Sequence, residues 1–229
     1  MMPLKIAIAD EHAIIRRGIN AMLMDSYPAV ADIAASLTLA FTGEAATTAD
    51  LLALLTQHTP DILFLGRTLT APQSQNPLNN MDGLALVKWL NHHYPTLKVM
   101  VLSSDKNPLL IRLTLEAGAS AWLSRHADEK TLNQALKAVV QDEIYVEHSL
   151  MSALFHGGKM PRETLSLREH EVLRYICRGL SLTDIARRMH LSIKTVSAHK
   201  LRAMEKLGVN NTCQLYSLLV STRMFDIAI

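Results

Sequence analysis

Residues 165–209 read LSLREHEVLRYICRGLSLTDIARRMHLSIKTVSAHKLRAMEKLGV. Ser166 and Glu169 stand three apart just before an apolar run, the spacing of a capping box that satisfies two free N–H groups at a helix start. Val172, Leu173, Ile176, Cys177 and Leu180 follow on one helical face, and Gly179 marks its end. Ser181 or Thr183 starts a second helix running to Met189, with Ile185, Ala186 and Met189 inward. His190, Leu191 and Ser192 form a short turn. A third helix spans about 193 to 207, with Val196, Leu201, Met204 and Leu207 as inward or partly covered positions, and Gly208 stops it. A fourth follows Asn211, with Leu215, Leu218 and Leu219 apolar. A short helix, a tight turn and a longer helix bearing polar and basic residues fit a helix-turn-helix within an all-α four-helix unit at 161–229.

The charge distribution agrees with that reading. Residues 1–150 carry 11 Lys and Arg against 15 Asp and Glu, whereas residues 151–229 carry 12 against 6. A basic segment joined to an acidic one points to a polyanion-binding module on its own domain. The chain has 229 residues, 49% hydrophobic and 19% charged, enough for two cores and unlike a disordered or collagen-like chain. Two cysteines, Cys177 and Cys213, make no disulfide framework, so a reducing compartment is expected. No run is long and apolar enough to span a membrane, and MMPLKIAIAD lacks the pattern of a signal peptide. The expectation is a soluble cytoplasmic protein without membrane contact.

Upstream, apolar runs alternate with helical patterns. Lys5–Ala9, part of 30–42, Ile62–Leu65, Val99–Leu102 and Ala121–Leu123 read as strands. Helical spacing separates them, with Pro108 in a first turn, Gly118 as a stop and Asp128 as the cap of the last helix. Five strands and five helices predict an α/β unit over 1–145: a five-stranded, doubly wound parallel sheet with its crevice at the carboxyl ends of the strands. Residues 146–160 are the expected linker, with His156–Pro161 as its clearest break. At the strand ends stand Asp10 and Glu11, Gly66, Ser103 and Ser104, and Ser124 and Arg125. Two adjacent carboxylates could hold a hard cation such as Mg²⁺, although a solvated acidic loop would read the same.

IAIADEH, PDILFLG, MDG at 81–83, VLS at 101–103 and GASAWLSR at 118–125 fall in the order of a two-component receiver domain, which this part of the chain resembles. The resemblance implies a flavodoxin-like fold, an acidic pair at Asp10 and Glu11, a switch hydroxyl at Ser103 and a switch aromatic at Trp122. Two departures stand out. The phosphoacceptor position holds Gly66, which has no side chain to attack a phosphoryl donor. Arg125 stands in place of the receiver lysine, a planar fork instead of a point charge. Losing the acceptor carboxylate also removes a metal ligand, so Mg²⁺ binding is expected to be weakened and no cofactor is expected. Arg125 is free to pair with Asp10 or Glu11 and neutralise the pocket. Asp61 and Asp82 are poorly placed to substitute. The loop 67–80, RTLTAPQSQNPLNN, is longer than in most receivers and reads equally as a lid, a docking loop or a tolerated insertion.

The 165–220 stretch resembles the LuxR/NarL/FixJ-type DNA-binding domain, through Leu-Ser-x-Arg-Glu, Ile-Ala-Arg-Arg-Met, Lys-Thr-Val-Ser-x-His and Lys-Leu-Gly-Val in order. The third helix is expected in the major groove. Ser192, Lys194 and Thr195 lie at its start and suit phosphate, as does Thr183 at the start of the helix before it. Ser197, Ala198 and Leu201 suit base edges and thymine methyls. Lys200 suits phosphate or guanine, Arg202 suits phosphate, and His199 is read as structural. The resemblance also implies dimerisation through the fourth helix, at Cys213, Leu215, Tyr216 and Leu219.

The leading functional expectation is a sequence-specific regulator acting on promoter half-sites of double-stranded DNA. It would act without phosphorylation, as a homodimer or as a heterodimer with a related response regulator. Two alternatives are a modulator that sequesters such a relative and a ligand sensor that uses the emptied pocket near Arg125. An enzyme is least expected, because no nucleophile motif, His/Cys metal cluster or phosphate-cradling glycine loop is present in the sequence.

Overall fold

Ile62–Gly66 is buried at every residue and forms the middle of a parallel sheet. The computed structural model describes residues 3–25, 38–70, 81, 83–151 and 165–222. The chain divides into two units, Met1–Lys106 with Ile111–Ser152, and Asn107–Leu110 with Ala153–Ile229.

In the first unit the elements are β1 (Leu4–Ala9), α1 (Ala13–Asp25), β2 (Leu39–Ala45), α2 (Thr48–Gln57), β3 (Ile62–Gly66) and α3 (Gly83–His93). They continue with β4 (Lys98–Ser103), α4 (Pro108–Glu116, of which residues up to Leu110 fall to the second unit in that division), β5 (Ala121–Ser124), α5 (Glu129–Val140) and β6 (Tyr145–Val146). All neighbouring pairs are parallel, in the order β2-β1-β3-β4-β5-β6. Near-continuous apolar strands form here because both sheet faces are covered. On one face Ile6, Ile8, Phe64, Met100 and Leu102 pack with Ile19 and Leu23 of α1 and with Leu132, Leu136 and Val139 of α5. Successive side chains alternate across a strand, so Leu63 and Leu65 point to the other face, where right-handed crossovers place α2, α3 and α4.

The sheet has six strands where the sequence pattern predicts five. Tyr145 N–H donates to Ser120 O at 3.0 Å and Glu147 N–H to Trp122 O at 3.1 Å, so the chain leaving α5 pairs with the open edge of β5. Two residues are too few to show a strand period. The connection also runs through α5 on the α1 face, which gives it the opposite hand to the preceding crossovers, and the handedness rule argues against it. The first unit therefore runs past 145, through a helical turn at 148–151 in which Leu150 is buried. The second strand is Leu39–Ala45, later than the alanine-rich part of 30–42, of which 30–37 lie outside the described residues. The caps follow the sequence: Asp128 accepts from Thr131 N–H at the start of α5, and Pro108 opens α4.

In the second unit α6 (Leu167–Cys177), α7 (Leu182–Met189), α8 (Ile193–Lys206) and α9 (Thr212–Thr222) follow the predicted boundaries closely. Ser166 and Glu169 form the expected capping box, and Ser181 and Ser192 cap α7 and α8. His190 ends α7 at φ 54°, a left-handed residue that turns the chain into α8. Val172, Leu173, Ile176, Ile185, Val196, Met204, Leu207, Leu215, Leu218 and Leu219 make the core. Leu201, expected inward or partly covered, is instead 61% exposed. The 156–161 break and residues 71–80 of the long loop lie outside the described residues, as does Asp82.

Candidate nucleic-acid interface and the pocket of the first unit

Helix α8 presents an outer face built from its sequence period. Ile193, Ser197 and Leu201 lie one turn apart, with Ile193 and Leu201 half or more exposed. Lys194 is exposed beside them. An exposed apolar pair along one helix face, with a cation beside the helix start, suits thymine methyls and phosphates together. Ile193 was not among the expected contacts. Its sequence signal is an isoleucine at a position that the inward period leaves outside.

The other candidates are more constrained. Ser192 Oγ accepts from Thr195 N–H at 3.0 Å and lies 2.8 Å from Thr195 Oγ1, so both hydroxyls serve the helix cap while remaining at its exposed start. Lys200 Nζ donates to Thr212 Oγ1 at 2.9 Å, which ties α8 to the first turn of α9. Arg202 Nη2 lies 2.9 Å from His199 Nδ1, and its Nε lies 3.7 Å from Glu169 Oε1. Thr183 is exposed in the first turn of α7, while Ser197 and Ala198 are partly covered.

Glu169 is the residue whose full part the capping motif does not reveal. Its side chain is 4% exposed, accepts from Ser166 N–H at 2.8 Å and pairs with Lys206 Nζ at 3.0 Å. Burial pushes its pKa up, but the hydrogen bonds from Ser166 and Lys206 outweigh burial and hold it below the ordinary value. One carboxylate thus joins the start of α6 to the later turns of α8.

On α9, Leu215 and Leu219 are 0% and 3% exposed, spent in the unit's own core, which corrects their expected place in a dimer contact. A fourth helix on a small bundle must bury one face, and the i, i+3, i+4 set Leu215, Leu218 and Leu219 is that face. Cys213, Tyr216 and Val220 are left outside. The Cys177 thiol is pushed up in pKa by burial, as suits a core residue.

In the first unit the strand ends converge as the topology requires. Asp10, at 0% exposure, accepts from Arg125 Nη2 at 2.8 Å through Oδ2 and from His12 N–H at 2.8 Å through Oδ1. Arg125 Nη1 lies 3.4 Å from His12 Nδ1, and Nη2 lies 4.0 Å from Glu11 Oε1. Thr68 donates to Glu11 Oε1 at 2.7 Å. A Cβ at Gly66 would fall against Asp10, 2.8 Å from its Cγ and 3.2 Å from its Cα. The Asp10 carboxylate therefore fills the volume next to Gly66. Ser103 is buried and accepts from Asp105 N–H at 3.0 Å. Trp122 is fully buried, and its indole N–H finds no acceptor among the described residues.

Comparison with known proteins settles the class. The description "Response regulator receiver domain" matches residues 6–137, more than half of the chain, and "Bacterial regulatory proteins, luxR family" matches 163–219. The chain belongs to the LuxR-type response regulators. RcsB of Escherichia coli K12, a transcriptional regulatory protein, is 32% identical over 62% of this chain and 67% of its own. The oxygen regulatory protein NreC of Staphylococcus epidermidis is 26% identical over 97% of this chain and all of its own. A structure of two RcsB dimers on two parallel DNAs matches with a TM-score of 0.79 at 27% identity, covering 96% of this chain and 99% of that one. RcsB of Salmonella enterica bound to a flhDC promoter in the presence of BeF3⁻ also scores 0.79 at 27% identity, covering 95% and 98%. This LuxR-type response regulator is a DNA-binding transcription regulator and not an enzyme. Among its described residues no helix is long and apolar enough to cross a membrane.

Proposed function

We propose that this response regulator binds promoter half-sites sequence-specifically and does so without phosphorylation, as a homodimer or paired with a related regulator. The observation that carries the proposal is the Asp10 carboxylate lying against Gly66 with Arg125 on it at 2.8 Å. An acceptor is absent, and the pocket is already neutralised from within. The donor set does not suit Mg²⁺. A divalent cation would have to displace a guanidinium from Asp10, and Gly66 supplies no third carboxylate. The same filling speaks against a ligand sensor, because it takes the room beside Gly66 that a small anion would need. Pairing through α9 is supported by Cys213, Tyr216 and Val220, which the monomer leaves uncovered.

The test is DNA selection from a random duplex pool by the purified chain, with and without acetyl phosphate, at two salt concentrations. Selective, salt-sensitive binding that acetyl phosphate does not change is expected. Binding that appears only with acetyl phosphate overturns phosphorylation independence. Unselective binding that becomes selective only with a related regulator added leaves the heterodimer as the acting form.

A further inference from the structure

Two arginines outside α8 share one aromatic ring. The Arg174 guanidinium lies 5.7 Å from the Tyr175 ring centroid and that of Arg188 lies 5.8 Å from it. Both arginines are exposed. Neighbouring arginines are neutralised, Arg168 by Glu171 at 3.0 Å and Arg187 by Asp184 at 3.3 Å. Among the described residues no carboxylate pairs with Arg174 or Arg188. We propose that Arg174, Tyr175 and Arg188 form a site for backbone phosphates of duplex DNA, flanking the bases that α8 reads. The site rests on the reading of α8 as the base-reading helix.

Three arguments support a phosphate. Two guanidiniums gathered at one ring repel each other, and a bound anion offsets that cost. A guanidinium held against an aromatic ring has a restricted stem and an outward N–H edge, and phosphate is the ligand that this fork matches in two bonds. Position favours DNA over an acidic protein surface. Glu169, in the first turn of α6, pairs with Arg202 and Lys206 in the later turns of α8. The two helices pack along their buried faces, so the second half of α6, with Arg174 and Tyr175, runs back toward the start of α8. Arg188 is in the last turn of α7, just before the turn to Ser192. The site therefore lies toward the end of the unit where α8 begins.

The experiment uses the full chain and two probes, a 30-bp duplex of arbitrary sequence (the length chosen at about three helical turns) and the duplex that the unaltered chain enriches from a random pool. R174Q/R188Q is expected to make the slope of log K against log salt shallower by about 2, at about 0.9 per phosphate contact. Affinity should fall by the same factor, roughly tenfold or more, on both duplexes. R174K/R188K retains both charges and should retain the slope. An unchanged slope and affinity in R174Q/R188Q overturn the site and leave the patch to a protein partner. A slope lost equally in the lysine variant also overturns it, since the fold and not the charge would then be responsible. I193A/L201A separates the two assignments. If that variant keeps the base preference of the unaltered chain, the reading of α8 fails whatever the arginines do.

Discussion

Asp10 occupies the space that a side chain at Gly66 would need, with its Cγ 2.8 Å from where a β-carbon at 66 would lie. The Asp10 carboxylate sits in the gap beside Gly66 and is fixed there by Arg125.

Restoring the acceptor alone is therefore expected to fail. Gly66→Asp brings a second carboxylate against a buried one and should lower stability by about 1–3 kcal/mol through overpacking, before any charge repulsion. Thermal melting reports the loss, and incubation with labelled acetyl phosphate should show no incorporation. Incorporation by this single variant would mean that Asp10 moves aside easily.

Removing Arg125 leaves a fully buried carboxylate without its cation. Arg125→Ala should cost on the order of 3 kcal/mol, and Arg125→Lys distinctly less, by urea unfolding of the full chain. Equal stability of all three proteins would show that the pair is incidental.

The second unit should lose stability in acid through Glu169. Its pKa is lower in the native state than the ordinary value of 4.5. The stabilisation is therefore fully present above the unfolded value and is lost as pH falls from there through the lower native value. Unfolding of the full chain followed by helical circular dichroism should show this loss, and Glu169→Gln should flatten it while lowering stability at neutral pH.

On α8, Lys194→Ala should weaken binding to all sequences alike and reduce the salt slope by about 1. Ile193→Ala and Leu201→Ala should instead change which base is preferred, by about 1–3 kcal/mol at one position. Selection from a random pool distinguishes the two behaviours.

Helix α9 offers a paired test of pairing against folding. Tyr216→Glu should weaken self-association, read by light scattering, with little change in melting. Leu215→Ala should cost about 2–5 kcal/mol in stability, because the side chain is fully buried.

Much of this was legible in the sequence. The capping box at Ser166, the glycine at position 66 and the cation at Arg125 are local signals, and a parallel sheet brings strand ends together wherever they lie in the chain. What the sequence did not show depends on three-dimensional competition. Nothing local says that Asp10 would turn toward Gly66, or that Glu169 would serve α8 as well as its own helix. Leu215 and Tyr216 are adjacent, and the helical period alone does not say whether the leucine face or the tyrosine face meets the bundle. Strand β6 is too short to carry a pattern at all.

That short strand has a consequence for the growing chain. As the protein is synthesised, β5 emerges with one edge unpaired and stays so until the chain has been made through Glu147. An open parallel edge is a template for a strand from another chain. The nascent first unit thus passes through an interval in which a neighbouring copy could take the place reserved for Tyr145 and Val146, and a chain released early would keep that edge exposed.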